Sequence, residues 1–142
     1  MKYLDHLKRF KVKLNLLIRL CDEFKNVIEE EIDFSIFFNE GHWAIYHLIS
    51  ALLDTLEIPE KLKHKNHRGL KNVLSSNEVV AKLNENANLL YELYSSTLGI
   101  MSKGEYGKIE TIATEDFTLF RDSIKKVKEI IEIYLGRTNE LI

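Results

Sequence analysis

The strongest constraint on the fold is the spacing of apolar residues between positions 78 and 101. Apolar side chains recur there at steps of three and four residues, a period that places them on one face of an α-helix. The row consists of Val80, Leu83, Ala87, Leu90, Tyr94, Leu98 and Met101. Ser75 and Glu78 have the spacing of a capping box, so we expect the helix to start beside them. Gly99 lies inside this helix and suggests a close contact there or the approach of the helix end, because glycine is unfavourable in a helix interior.

Three further segments have the helical period. The first covers residues 3–32, the second covers residues 43–56, and the last starts at Thr114 and ends before Gly136. A short helix is expected over residues 67–74. Gly41 is expected to allow a turn, with residues 33–39 folding back on the core, and residues 102–107 are expected to form another turn. The expected buried positions of the three long segments include Leu7, Phe10, Leu14, Ala44, Leu48, Ala51, Thr55, Phe117, Phe120, Ile124, Val127, Ile131 and Tyr134.

Glycine and proline are too rare in this chain to separate many short strands. The 142 residues include six glycines and one proline, Pro59, which ends the second long helix. The sequence therefore predicts an all-α fold of four long helices plus a short fifth. A chain of this length is expected to form a single domain over residues 1–142, with residues 137–142 as a frayed tail.

The overall charge gives no reason to expect binding to nucleic acid or to an anionic membrane over the whole surface. The formal net charge is −2, so any such contact must be local. The sequence contains no apolar run long enough to cross a bilayer. Cys21 is the only cysteine, lies in the apolar stripe of the first segment and is expected to be a small buried hydrophobe. With no pattern typical of a signal peptide at the start, a cytoplasmic location is expected.

Positive charge is concentrated in one short segment, which we call the basic segment, residues 61–71. Residues 61–77 contain five of the chain's 20 basic residues and none of its 22 acidic residues. Lys63, Lys65, His67 and Arg68 are the candidate binding residues, because lysine, arginine and the exposed amides of a helix start attract phosphate. The plain alternative is a solvated connection that its lysines keep soluble.

Four short motifs together resemble the HEPN family of small helical proteins. They lie at residues 46–53 (YHLISALL), 66–70 (NHRGL), 90–94 (LYELY) and 104–107 (GEYG). In that family a helix rich in tyrosine and alanine ends in Ala-Leu-Leu, a Ser-His-x-Gly turn follows, and a later segment reads Arg-x-x-Ala-Asp-Tyr. His67 and Gly69 match the turn, and Tyr106 matches the tyrosine. Glu105 replaces the aspartate, and Met101 stands at the position of the arginine.

The resemblance implies a HEPN-like, up-and-down helical bundle that forms a homodimer, with a role close to RNA or beside a nucleotidyltransferase partner. It also adds Tyr106 to the candidate binding residues. Catalytic members of the family use an arginine followed four to six residues later by a histidine, and no arginine of this chain has that histidine. No catalytic residue is therefore expected, and the predicted function is a non-catalytic interaction module. The alternatives are a metal-independent ribonuclease using His67 and Arg68, and a purely structural dimer.

Metal and cofactor sites find little support in the sequence. His64 and His67 are three residues apart, but two histidines do not complete a zinc site, and the Glu-x-x-His pairs of di-metal bundles are missing. No glycine-rich phosphate loop occurs either. No metal and no cofactor are expected. His47, beside the apolar stripe of its helix, is expected to be a satisfied core histidine.

Overall fold

A computed structural model describes residues 3–22, 34–56, 67–106 and 114–135 of the chain. These residues form six α-helices and no strand: α1 (Tyr3–Asp22), α2 (Phe34–Thr55), α3 (His67–Leu74), α4 (Asn77–Leu83), α5 (Glu85–Tyr106) and α6 (Thr114–Leu135). The prediction of an all-α fold is confirmed. Within the described residues, no helix is both long enough and apolar enough to cross a membrane.

Helix α2 is the centre of the structure because it packs against α1, α5 and α6. Between His42 and Leu53 every side chain except that of Trp43 is buried. A helix that is apolar on all sides must be covered on all sides. The small residues Ala44 and Ala51, both fully buried, allow its neighbours to approach closely.

Helix α1 packs antiparallel to α2. Lys13 of α1 lies beside Glu40 near the start of α2, and His6 of α1 lies beside Asp54 near its end. Between these polar contacts, the predicted stripe of Leu7, Phe10 and Leu14 is buried. Among the described helices, α2 is the only one with which α1 makes extensive contact.

Helices α5 and α6 complete the core on the other side of α2. The start of α5 meets the end of α6, where Asn86 donates a hydrogen bond to the Tyr134 hydroxyl over 2.7 Å. At the start of α6, the ring of Phe120 meets that of Phe38 from α2 edge to face, with centroids 5.0 Å apart. Four of the predicted buried positions of α6, Phe120, Ile124, Val127 and Ile131, are confirmed. The predictions for Tyr134 of α6 and Thr55 of α2 are wrong, since both side chains are exposed near helix ends, and the side chain of Phe117 lies outside the described residues.

The predicted turn at Gly41 is wrong. Helix α2 runs without interruption from Phe34 to Thr55, and Gly41 is buried within it. The burial of Phe38 explains the difference, since this side chain joins the core as part of the helix and needs no turn to reach it. Packing energy of this kind exceeds the cost of about 1 kcal/mol of one glycine in a helix.

The long helix predicted over residues 78–101 is divided at Asn84 into α4 and α5. Asn84 has a φ of 54°, in the left-handed region, and its N–H donates to the Val80 carbonyl over 2.8 Å. Its ψ is −132°, so the backbone at Asn84 lies outside the helical regions and the helix ends there. The break also changes which face of α4 is buried, because Val79 is buried where Val80 was predicted and Val80 is exposed. The described residues therefore contain two short helices instead of one.

Three smaller predictions about this region are also wrong. The capping serine is Ser76 rather than Ser75, and its hydroxyl accepts from the Val79 N–H over 3.4 Å. Residues 102–106 continue helix α5 instead of turning. Gly99 has open space beside it, with nothing within 4 Å of an added Cβ, so no close contact explains it.

Other predictions lie outside the described residues. They concern the first helix beyond Asp22, the end of the second helix at Pro59, the side chain of Cys21 and the tail at residues 137–142. The short helix over residues 67–74 and the start of the last helix at Thr114 are confirmed.

Candidate functional site

The predicted binding residues lie at two helix ends and in one segment that is not among the described residues. Lys63 and Lys65 lie outside the described residues. His67 and Arg68 are the first two residues of α3, and Tyr106 is the last residue of α5, but their side chains are also outside the description. The binding role of these five residues therefore stays a prediction.

The end of the basic segment is fixed to the core through α3. Leu70, Val73 and Leu74 are buried on the inner face of this helix, which packs mainly against α5. Lys71 places its ammonium group 5.3 Å from the ring centroid of Tyr91 on α5. Such a cation–π contact contributes about 0.5–1 kcal/mol at an exposed site. The backbone at His67 and Arg68 is thus attached to a packed helix.

Three histidines that the sequence did not connect with one another are buried in the described structure. His6 belongs to α1, while His42 and His47 belong to α2, and each is at most 6% exposed. Buried polar groups require hydrogen-bond partners, because leaving them unpaired costs about 1–3 kcal/mol. Each histidine has such a partner on another helix.

His6 and His47 bind each other across the interface between α1 and α2. Their Nδ1 atoms lie 2.9 Å apart, and the ring centroids lie 5.2 Å apart. One of the two Nδ1 atoms must carry the proton and the other must accept it. On its other side, Nε2 of His6 lies 3.6 Å from a carboxylate oxygen of Asp54. That acceptor favours a proton on Nε2 of His6, which makes His47 the Nδ1–H donor.

Both members of this pair are poor bases. Burial lowers the pKa of His6 from 6.5 to about 4, helped by the positive charges of the α-amino group and Arg9 and opposed by Asp5. Burial also lowers the pKa of His47 to about 4, and the charge of a protonated His6 is the next cause, followed by Lys13 and Arg9. Both imidazoles are therefore neutral at pH 7.

Aromatic rings surround His47 on α2. The ring of Tyr46 stands almost perpendicular to that of His47, at 86° and a centroid distance of 5.4 Å. Trp43 has its ring centroid 6.2 Å from the imidazole of His47 and 5.0 Å from the ring of Tyr46. Burial raises the pKa of Tyr46, as does the nearby charge of Asp54. The tyrosine is consequently a neutral hydrogen-bonding group at neutral pH.

His42 joins α2 to α5. Its Nδ1 lies 2.8 Å from the Thr97 hydroxyl, which donates its own hydrogen to the Tyr94 carbonyl over 3.0 Å. Since the single hydroxyl hydrogen is used, Nδ1 of His42 is the donor in this contact. The ring of Tyr94 lies 4.5 Å from that of His42, and burial raises the pKa of Tyr94. Tyr94 is fully buried, as its place in the predicted apolar row requires.

The histidine arrangement is suited to joining helices. In the His6–His47 pair the two Nδ1 atoms are in direct contact, which leaves no room for a substrate atom between them. The prediction that His47 is a satisfied core histidine is confirmed. No group of three or more residues suited to metal binding occurs among the described residues, while His64 and the side chain of His67 lie outside them.

The sequence contained only part of the signal for this cluster. The helical period put His47 beside the buried stripe of α2, and His6 precedes the buried Leu7. Their contact depends on how α1 and α2 are aligned, which the spacing of apolar residues within either helix does not determine.

Comparisons with protein-family models, curated proteins and solved structures find no match for this chain. The HEPN resemblance therefore continues to depend on the short motifs alone.

Proposed function

We propose that this chain is a non-catalytic, HEPN-like helical interaction module that contacts phosphate groups of RNA or of a nucleotide through its basic segment. The observation that carries the proposal is the concentration of positive charge in residues 61–71, a segment that leads into a helix anchored on the core. Lysine and arginine side chains neutralise phosphates without a requirement for sequence, and five of them within eleven residues give a local field that the acidic remainder of the chain lacks.

The anchoring of α3 supports the role of this segment in binding. A binding segment loses less conformational freedom on contact when one of its ends is already held. The buried side chains Leu70, Val73 and Leu74, together with the contact between Lys71 and Tyr91, hold that end. In the proposed module, Lys63, Lys65 and Arg68 supply the charge, while His67 and Tyr106 supply hydrogen-bonding groups.

The partners in this proposal come from the family resemblance. A HEPN-like chain is expected to form a homodimer and to bind a nucleotidyltransferase. Light scattering tests the first expectation, since a monomer at every concentration would contradict it. Co-expression with a nucleotidyltransferase encoded beside this chain, followed by gel filtration, tests the second.

The contact with phosphate is tested by fluorescence anisotropy with a labelled single-stranded RNA at several salt concentrations. We expect weak binding that falls as salt rises, because phosphate contacts release counterions. Replacing Lys63, Lys65 and Arg68 with alanine together should weaken binding about tenfold or more at low salt. The matched control replaces the exposed Lys82, Lys125 and Lys126 on α4 and α6, which removes the same charge elsewhere.

Two outcomes of this experiment would reject the proposal. Equal loss of affinity in both triple variants would show that only net charge matters, and affinity independent of salt would exclude phosphate contacts as its source. RNA integrity is measured in the same samples. Reproducible cleavage that His67→Ala abolishes would establish the ribonuclease instead.

A further inference from the structure

The polar contacts that hold α1 on α2 differ in kind from those that α6 makes with α4 and α5. They are the His6–His47 hydrogen bond, the contact of His6 with Asp54 and the ion pair between Lys13 and Glu40, whose Nζ and carboxylate oxygen lie 2.7 Å apart. Two of these three contacts contain a histidine, whose imidazole gains a proton in acid. The contacts of α6 with α4 and α5 use the Tyr134 hydroxyl, the Leu83 carbonyl and the Asn86 amide, none of which does.

The His6–His47 pair accommodates one added proton but not two. In the neutral pair a single hydrogen lies between the two Nδ1 atoms. One protonated ring still donates to the other, and a charged His6 gains from Asp54 on its far side. When both rings are protonated, two N–H groups point at each other across 2.9 Å, so the bond is lost and two like charges face one another.

The surrounding charges decide how readily the second proton is bound. From α1, Arg9 and Lys13 oppose protonation, as does the α-amino group, while Asp5 favours it. From α2, Asp54 lies against His6 and also close to Tyr46, and Glu40 is occupied by Lys13. The positive charges around the pair therefore oppose a second proton more than the nearby acids favour it.

We propose that the His6–His47 contact is an acid-sensitive latch: protonation of both rings releases α1 from α2, while α2, α5 and α6 remain packed together. Helix α1 is suited to such release because, among the described helices, α2 alone holds it extensively. Protonation of His42, the third buried histidine, does not break its hydrogen bond in this way. Protonated His42 still donates Nδ1–H to Thr97, whose oxygen remains an acceptor.

Hydrogen exchange of the full chain tests the latch directly. Amide protection factors, corrected for the intrinsic pH dependence of exchange, are compared at pH 7 and at pH 4.5. We expect protection in α1 to fall at least tenfold more than protection in α5 and α6. Loss of protection in all three helices together, at the same pH, would overturn the proposal, and so would an α1 that keeps its protection.

The fluorescence of Trp43 gives a second readout. This is the only tryptophan of the chain, and its ring lies 6.2 Å from the imidazole of His47. A protonated imidazole quenches tryptophan emission, so emission should fall in acid before the helical signal of the core is lost. His6→Asn and His47→Asn keep a polar atom near the position of Nδ1 but do not titrate. Both variants should remove the selective loss of α1 protection. Only His47→Asn should also remove the acid response of Trp43, because the imidazole beside Trp43 is then absent.

The control variant is His42→Asn, which changes the other buried histidine of α2 and should leave both responses in place. An acid response of α1 that persists in His6→Asn and His47→Asn would assign it to carboxylates alone and reject the latch. If either variant fails to fold at pH 7, the exchange measurement on the unmodified chain decides the question by itself.

Discussion

The Nδ1 atoms of His6 and His47 lie 2.9 Å apart although the residues are 41 positions apart in sequence. The contact joins α1 to the central helix α2 inside the protein. Since both pKa values are lowered to about 4, the folded chain holds two neutral imidazoles that an unfolded chain would protonate near pH 6.5.

The first prediction concerns stability in acid. A basic group whose pKa is lower in the folded chain than in the unfolded chain binds fewer protons in the folded state. The free energy of unfolding should therefore be highest above pH 6.5 and fall as the pH drops toward 4. Allowing for solvent screening at the partly open edge of the cluster, the pair should account for about 1–2 kcal/mol between pH 7 and pH 5.

Urea unfolding at pH 7, 6 and 5 measures this loss. In the variant with both His6→Asn and His47→Asn, the free energy of unfolding should decrease less over the same pH range. The difference between the two decreases is the contribution of the histidine pair. Equal decreases in the two proteins would mean that the histidines titrate alike in the folded and unfolded states.

The apolar spacing predicted much of the core but not its polar contacts. Leu7, Phe10 and Leu14 are buried as expected, because one face of an amphipathic helix must be covered wherever the helix packs. The partner of His47 could not be predicted in this way. It depends on the alignment of two helices, and many alignments bury the same apolar residues.

The helix boundaries were mispredicted for a different reason: a local signal in the sequence was outweighed by packing or was missed. Gly41 suggested a turn, but the burial of Phe38 and the residues after it keeps α2 continuous. At Asn84 the helical period runs through the break, since Leu83 and Ala87 are both buried on either side of it. The ability of asparagine to adopt a positive φ was the only local indication of that break.

The second prediction concerns Gly99. An added Cβ there meets nothing within 4 Å, and the residue is an exposed position inside α5. Gly99→Ala should raise the free energy of unfolding by about 0.5–1 kcal/mol, because alanine loses less conformational freedom in a helix. Thermal melting measures the effect, with Ala81→Gly on the exposed face of α4 as the reverse control. A destabilised Gly99→Ala would point to a contact of this surface with another molecule.

The third prediction concerns the break at Asn84, whose φ is 54°. Asn84→Gly should be neutral or slightly stabilising, since glycine adopts positive φ without steric cost. Asn84→Ala should lower the free energy of unfolding by about 1 kcal/mol, because its Cβ is crowded in this conformation. Chemical denaturation of the two variants gives the comparison. If alanine proves as stable as glycine, α4 and α5 must merge into one helix in that variant.

The fourth prediction concerns the contact between α6 and the start of α5. The Tyr134 hydroxyl donates to the Leu83 carbonyl over 3.2 Å and accepts from Asn86 over 2.7 Å. Tyr134→Phe should lower the free energy of unfolding by about 1 kcal/mol, because both contacts are lost. Tyr91→Phe is the matched control, since the ring of Tyr91 makes the contact with Lys71 and is retained. Similar losses in both variants would mean that the two hydrogen bonds of the Tyr134 hydroxyl contribute nothing specific to stability.

The most direct test of the His6–His47 contact is a pH titration of the histidine side chains by long-range proton–nitrogen NMR. We expect His6 and His47 to be neutral at pH 7, with the proton of His6 on Nε2 and that of His47 on Nδ1, and to begin titrating only well below pH 6.5. Midpoints near 6.5 for both residues, or the same tautomer in both, would contradict a buried pair that shares one hydrogen.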